Sequence, residues 1–106
     1  MPKLRHKIDP RQDLEAGPEL DSLVDEKIFG REYIRGYGAL PYSTDIGAAW
    51  EVVEKITDRH LDLSWNPPFW IAEFILPEDH TYSSGIADTA PLAICRAALK
   101  AIDAKT

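Results

Sequence analysis

The stretch HLDLSWNPPFWIAEFILPEDHTYSSGIA, residues 60–87, decides the fold. Its first part, HLDLSW, alternates cleanly and puts Leu61, Leu63 and Trp65 on one face of a strand. Asn66-Pro67-Pro68 then breaks it, because neither proline can donate to a sheet ladder. FWIAEFIL, residues 69–76, is apolar at every position but Glu73. Phe69, Ile71 and Ile75 share a face with Glu73, while Trp70, Ala72, Phe74 and Leu76 occupy the other. A strand of that kind reads as covered on both faces. Pro77-Glu78-Asp79-His80 makes the next turn. TYSSGIAD, residues 81–88, is a weaker third strand anchored by Tyr82 and Ile86. Turns this short make an antiparallel meander the natural pairing.

Helical patterns flank these strands. In PELDSLVDEKIF, residues 18–29, Leu20, Leu23, Val24 and Ile28 form an apolar stripe. Pro18 suits the first helical position and Gly30 suits a C-terminal cap. In PYSTDIGAAWEVVEKI, residues 41–56, Ser43, Thr44 and Asp45 offer oxygens for capping a helix that runs to about residue 58. Ile46, Trp50, Val53 and Ile56 recur at helical spacing and read as its buried face. Ala48 and Ala49 make the adjoining flank thin, so another backbone can approach it closely. The last helix runs from Thr89 to about residue 103, with Thr89 or Asp88 as cap and Pro91 in the first turn. Leu92, Cys95, Leu99 and Ile102 line one face, and Ile94, Ala98 and Ala101 a narrower one. A helix apolar over so much of its girth is heavily buried or contacts two neighbours.

The fold class follows from counting faces. A doubly apolar middle strand needs cover on both sides, and three helices are available to supply it. The expected class is α/β (α+β): a three-layer α/β/α sandwich around a three-stranded antiparallel sheet, in the order α-α-β-β-β-α. The alternative is a two-layer α+β domain whose bare sheet face is buried in a dimer. Residues 17–106 form one domain. Residues 1–16 read as a flexible arm, interrupted by Pro2 and Pro10.

The chain has 106 residues, 44% of them hydrophobic and 28% charged, enough for one packed core. Its formal net charge is -6. Lys3, Arg5, Lys7 and Arg11 against Asp9, Asp13 and Glu15 give residues 1–16 a charge of +1, which leaves -7 on residues 17–106. Such a balance disfavours a nucleic-acid polymer or an anionic membrane as partner. Cys95 is the single cysteine, so no intrachain disulfide forms and a reducing compartment fits. No signal-length apolar run opens the chain and no stretch is long enough to span a bilayer, so a soluble, intracellular protein is expected.

Three long motifs resemble a known family. L-x-x-L-V-x-E-K-I at residues 20–28, PYSTDIGAAWEVVEK at 41–55 and DTAPLAICRAALKA at 88–101 are similar to the phage ABA sandwich domain, a family of small phage and prophage proteins. The likeness spans about residues 18 to 103. It implies an α/β/α sandwich and a phage origin, and carries over no catalytic residues. Arg31 stands where the family often has Trp, and Leu40 precedes Pro41 where a second proline is common.

Motifs for chemistry are missing. His6, His60 and His80 are scattered, with no zinc or calcium spacing. Cys95 lies on an apolar helix face, where a thiolate is disfavoured. There is no G-x-S-x-G elbow and no phosphate loop. We therefore expect no catalytic residues, no metal and no cofactor. What remains is a binding geometry. Arg31, Tyr33, Arg35, Tyr37 and Tyr42 are suited to stack on a planar ligand and neutralise an anion. Ser43, Thr44, Asp45 and Thr89 sit at helix starts, where amides can hold a phosphate or carboxylate. These nine residues are the candidate ligand-binding set, although Asp45 and Thr89 equally serve as plain caps. The expected function is a non-catalytic accessory binding protein that sequesters a small anionic, nucleotide-type ligand or a host factor in counter-defence. The alternative is a protein–protein adaptor or homo-oligomeric accessory protein.

Overall fold

The computed structural model describes residues 14–30 and 39–104. Three helices and three strands follow in the expected order: α1 (Pro18–Ile28), α2 (Ile46–Lys55), β1 (His60–Asn66), β2 (Phe69–Ile75), β3 (Tyr82–Ala87) and α3 (Ala90–Ala104). The sheet is antiparallel in the order β1-β2-β3. Asn66 pairs with Phe69, leaving Pro67-Pro68 as a two-residue turn, and the peptide bond between the prolines is cis. Gly30 takes a φ of 71°, the left-handed conformation that ends α1 and that side chains with a Cβ resist.

The middle of the molecule is α3. Leu92, Ala93, Ile94, Cys95, Ala97, Ala98, Leu99 and Ala101 are all buried, so three sides of the helix are covered. One side lies on β3 and β2, and the others receive α1 and α2. The contact with β3 is very close. A Cβ on Gly85 would lie 2.5 Å from the Ala93 carbonyl oxygen and 2.5 Å from the Ala97 nitrogen. Glycine in the strand and alanines on the helix bring two backbones together there. The sequence reading grouped Ala93 and Ala97 with neither apolar face of this helix.

The two-sided cover expected for β2 is met by α3 on one face. Trp70, Ala72 and Phe74 point to the helices, with Ala72 and Phe74 fully buried. By strand alternation, Phe69, Ile71, Glu73 and Ile75 point the other way and keep partial exposure.

The buried face of α2 differs from the sequence reading. Ala48, Ala49 and Val52 are buried, while Ile46 is 49% exposed and Trp50 44% exposed. Val53 is half-buried, and Ile56 is buried just past the last turn. The physical reason is α3, whose alanine-rich surface takes a thin helix face at close range. Spacing alone favours the larger side chains, and the close approach favours the smaller ones.

Leu14, from the segment read as an arm, packs against the core. Its carbonyl accepts a hydrogen bond from Arg96 Nη2 at 3.3 Å. Residues 1–13 lie outside the described residues.

Candidate functional site

The turn before α2 is built by buried hydrogen bonds. The backbone N–H of Ser43 donates to Asp21 Oδ1 at 2.8 Å, and the Ser43 hydroxyl donates to the same oxygen at 2.7 Å. Ser43 Oγ in turn accepts from the N–H of Gly17 at 2.9 Å. Tyr42 is fully buried; its hydroxyl donates to Asp25 Oδ1 at 2.8 Å and its ring stacks on Phe29. Tyr42 and Ser43, both named as ligand contacts from the sequence, thus have their hydroxyls engaged with α1 and out of solvent. The cause is a pair of acids on α1, Asp21 and Asp25, whose carboxylates face this turn.

Asp45 caps α2, its Oδ2 accepting from the Ala48 N–H at 2.9 Å. Thr89 stands at the start of α3, where its Oγ1 accepts from the Leu92 N–H at 3.4 Å and its carbonyl accepts from the Ala93 N–H. Thr44 is exposed beside Asp45. Arg31, Tyr33, Arg35 and Tyr37 lie outside the described residues. Of the nine candidates, the structure therefore joins Tyr42, Ser43, Thr44 and Asp45 in one turn and sets Thr89 at a different helix start.

A cleft of about 280 Å³ lies at the far end of α2, lined by Ile28, Lys55, Ile56, Thr57, Asp58 and Ile102. It contains none of the candidate residues. Among the described residues no cluster of His, Cys, Asp and Glu has a metal-holding arrangement, and no helix is long and apolar enough to cross a membrane. Burial pushes the Cys95 thiol far above its ordinary value, and the charge of Asp21 adds to that rise. Asp79 is held below the usual carboxylate range by the Thr81 N–H and then by the Thr81 hydroxyl, in the exposed turn between β2 and β3.

The sequence reading placed no candidate site residue on the sheet face turned away from α3, although its two-layer alternative left one sheet face bare. Register and alternation place Ile71 between Ile86 and Ser64, Glu73 between Ser84 and Asp62, and Ile75 between Tyr82 and His60. Tyr82 is 62% exposed, Ile86 52% exposed and Phe69 also exposed. This outer face is apolar toward both ends of β2 and β3, polar in the Glu73–Ser84 row between them and polar along β1, with the two carboxylates of Asp62 and Glu73 opposite each other. One signal was available in the sequence. His60, Asp62, Ser64 and Asn66 are all polar, so the face they share was unsuited to burial under a helix.

The fold and this exposed sheet define a small α+β sandwich. A match to the phage ABA sandwich domain covers residues 22–99, and the chain belongs to that family. The family is not known as enzymatic. The chain is also similar to a solved structure, the 2.0 Å crystal structure of a phage protein from Bacillus cereus ATCC 14579. The two share 27% sequence identity with a TM-score of 0.66, over 94% of this chain and 98% of the other. No curated protein matched.

Proposed function

We propose that this phage protein is a non-catalytic accessory protein that works in the host cytoplasm by binding another protein through the outer face of its sheet. The carrying observation is the exposure of Phe69 and Ile86 beside half-buried Ile71, and of Tyr82 beside half-buried Ile75, on one face of the sheet. Solvent-facing β-branched and aromatic residues on one flat surface are a binding feature, since isolated exposure would scatter them. Asp62 and Glu73 specify the chemistry of the partner. Two like charges side by side are relieved by a cation, so the partner presents a lysine or arginine ringed by apolar side chains. Capture of a small anion by Arg31, Tyr33, Arg35, Tyr37 and Thr44 is the competing reading. The engaged hydroxyls of Tyr42 and Ser43 weigh against it.

The test is cross-linking of the tagged chain in phage-infected cells, with wild type compared with Ile86→Asp and Glu73→Lys. We expect cross-links from one partner to map to β2 and β3 and to vanish in both variants, while their melting stays cooperative. A partner retained equally by both variants overturns the assignment. So does calorimetric binding of mono-, di- or cyclic nucleotides that Thr44→Ala abolishes.

A further inference from the structure

One side chain ties the outer sheet face to the segment that leads into α1. Arg96, on α3, donates from Nη1 to the Ile86 carbonyl at 2.9 Å and from Nη2 to the Leu14 carbonyl at 3.3 Å. Both nitrogens belong to one planar guanidinium, so the two carbonyls are held side by side although they lie far apart in the chain. The Ile86 side chain stands on the outer face and is 52% exposed.

Leu14 opens a short strap with an anchor at each end. Its side chain packs against the core. Glu15 and Ala16 are exposed. Gly17 is the second anchor. Its N–H donates to Ser43 Oγ at 2.9 Å, and its carbonyl accepts from the Asp21 N–H at 2.9 Å. The anchors differ in strength. A separation of 2.9 Å is ordinary for an N–H donor, whereas the 3.3 Å to Leu14 lies past the usual range. Leu14 is therefore the end that lets go first, while Arg96 keeps its bond to Ile86.

We propose that residues 14–17 are a strap latched by Arg96, and that the latch regulates partner binding at the Ile86 end of the outer face. The proposal rests on the reading of that face as the partner site. With the strap closed, the guanidinium is held by two carbonyls and fixes the Ile86 peptide, and with it the direction of the Ile86 side chain. With the strap open, the guanidinium loses one of these supports, and Ile86 gains freedom that a partner must remove on binding. The closed strap is thus the binding-competent state. Linkage makes the effect reciprocal, so a partner seated on Ile86 holds the strap shut. Lysine at position 96 would not serve, since a point charge cannot grip two carbonyls in one fixed plane.

Nuclear magnetic resonance of the full chain tests the latch in a cycle of Ser43→Ala, Arg96→Gln and the double variant. Each substitution is read at the opposite end of the strap. We expect Ser43→Ala, which frees Gly17, to shift the Ile86 δ-methyl signal, and that shift to vanish in the Arg96→Gln background. We expect Arg96→Gln to speed hydrogen exchange of the Gly17 amide about tenfold. Should Ser43→Ala lose its cooperative melt, Leu14→Ala loosens the same strap and takes its place in the cycle. An Ile86 signal that ignores the loosened strap, one that shifts as far without Arg96, or a Gly17 amide that ignores Arg96→Gln overturns the latch. The regulatory step is read by cross-linking in infected cells. Ser43→Ala should weaken capture of the partner about fivefold, and unchanged capture overturns the regulation. The resonance cycle needs no partner, so failure of the latch is told apart from failure of the partner-binding reading.

Discussion

Asp21 Oδ1 accepts two hydrogen bonds from Ser43, one from its N–H at 2.8 Å and one from its hydroxyl at 2.7 Å. The pair joins α1 to the turn that starts α2 across 22 residues of sequence, and both residues are buried. Leaving buried donors unmet costs more than the bonds themselves gain. Asp21→Ala strands both Ser43 donors and should cost roughly 3 kcal/mol. Ser43→Ala loses the hydroxyl alone, keeps the backbone bond and should cost about 1–2 kcal/mol. Urea titration of the two variants checks the order. Equal midpoints would show that the carboxylate does not organise the turn.

Gly85 faces a harder limit than any other glycine in the described residues. A methyl group there meets the Ala93 oxygen, the Ala97 nitrogen and, at 2.8 Å, Arg96 Cβ. All three belong to α3 at or near its backbone, so relief requires the helix to move off the sheet. Gly85→Ala should cost about 3 kcal/mol through overpacking. Gly47→Ala is the control, since its Cβ meets only the Asp45 carboxylate at 3.2 Å, and it should stay within about 1 kcal/mol of wild type. Chemical denaturation of both measures the contrast.

Gly85 also shows where reading a sequence stops. Element order, strand pairing and the three-stranded sheet followed from alternation in HLDLSW, the apolar run FWIAEFIL and the short turns. Those signals are local. That α3 rather than the sheet sits in the middle depended on Gly85 meeting Ala93 and Ala97, a fit between segments that no single pattern carries. The turn at 42–45 was legible as a helix start, and Asp45 caps α2 as its position suggests. The burial of Tyr42 and Ser43 was not legible, because Asp21 and Asp25 reach them from another helix. Spacing likewise named the large residues of α2 as core. It is silent on how near the neighbouring helix comes.

Cys95 gives a pH signature. Burial first, then the charge of Asp21, keeps its thiol protonated in the fold. In the unfolded chain the thiol ionises near its ordinary value of 9.0. The folded state therefore binds the proton more tightly, so the linked stability is fully present below that value and is lost as pH rises beyond it. The melting temperature should fall from about pH 9 upward, and the fall should be shallower in Cys95→Ala. The comparison is of slopes, since the variant also loses packing. Parallel slopes would dismiss the thiol as the source. In native protein Cys95 should react with an aromatic disulfide reagent only as fast as the chain opens.

His80 holds a φ of 62° in the turn between β2 and β3. Its N–H donates to the Leu76 carbonyl at 2.9 Å, and the Leu76 N–H donates to the Thr81 carbonyl at 2.8 Å. A residue with a Cβ is strained in that conformation and glycine is not. His80→Gly should raise stability by up to about 1 kcal/mol, and His80→Val should lower it by about 1–2 kcal/mol. Thermal melts of the two variants decide it. A histidine chosen for a contact of its side chain would instead lose stability with either substitution.

The rotation of α2 makes the sharpest prediction, because it reverses the order that side-chain size suggests. Trp50 is the largest residue of the helix and is 44% exposed, while Val52 is fully buried. Truncating a buried tryptophan costs about 3–5 kcal/mol, but one this open keeps much of its surface in water in either state. Trp50→Ala should therefore cost no more than about 1 kcal/mol. Val52→Ala removes two methyl groups from the packed side of the helix and should cost about 2 kcal/mol. Urea denaturation followed by circular dichroism keeps the readout independent of the lost indole. A larger loss for Trp50→Ala than for Val52→Ala would mean that α2 buries its Ile46–Trp50 face, as its spacing suggests, and that its alanines face outward.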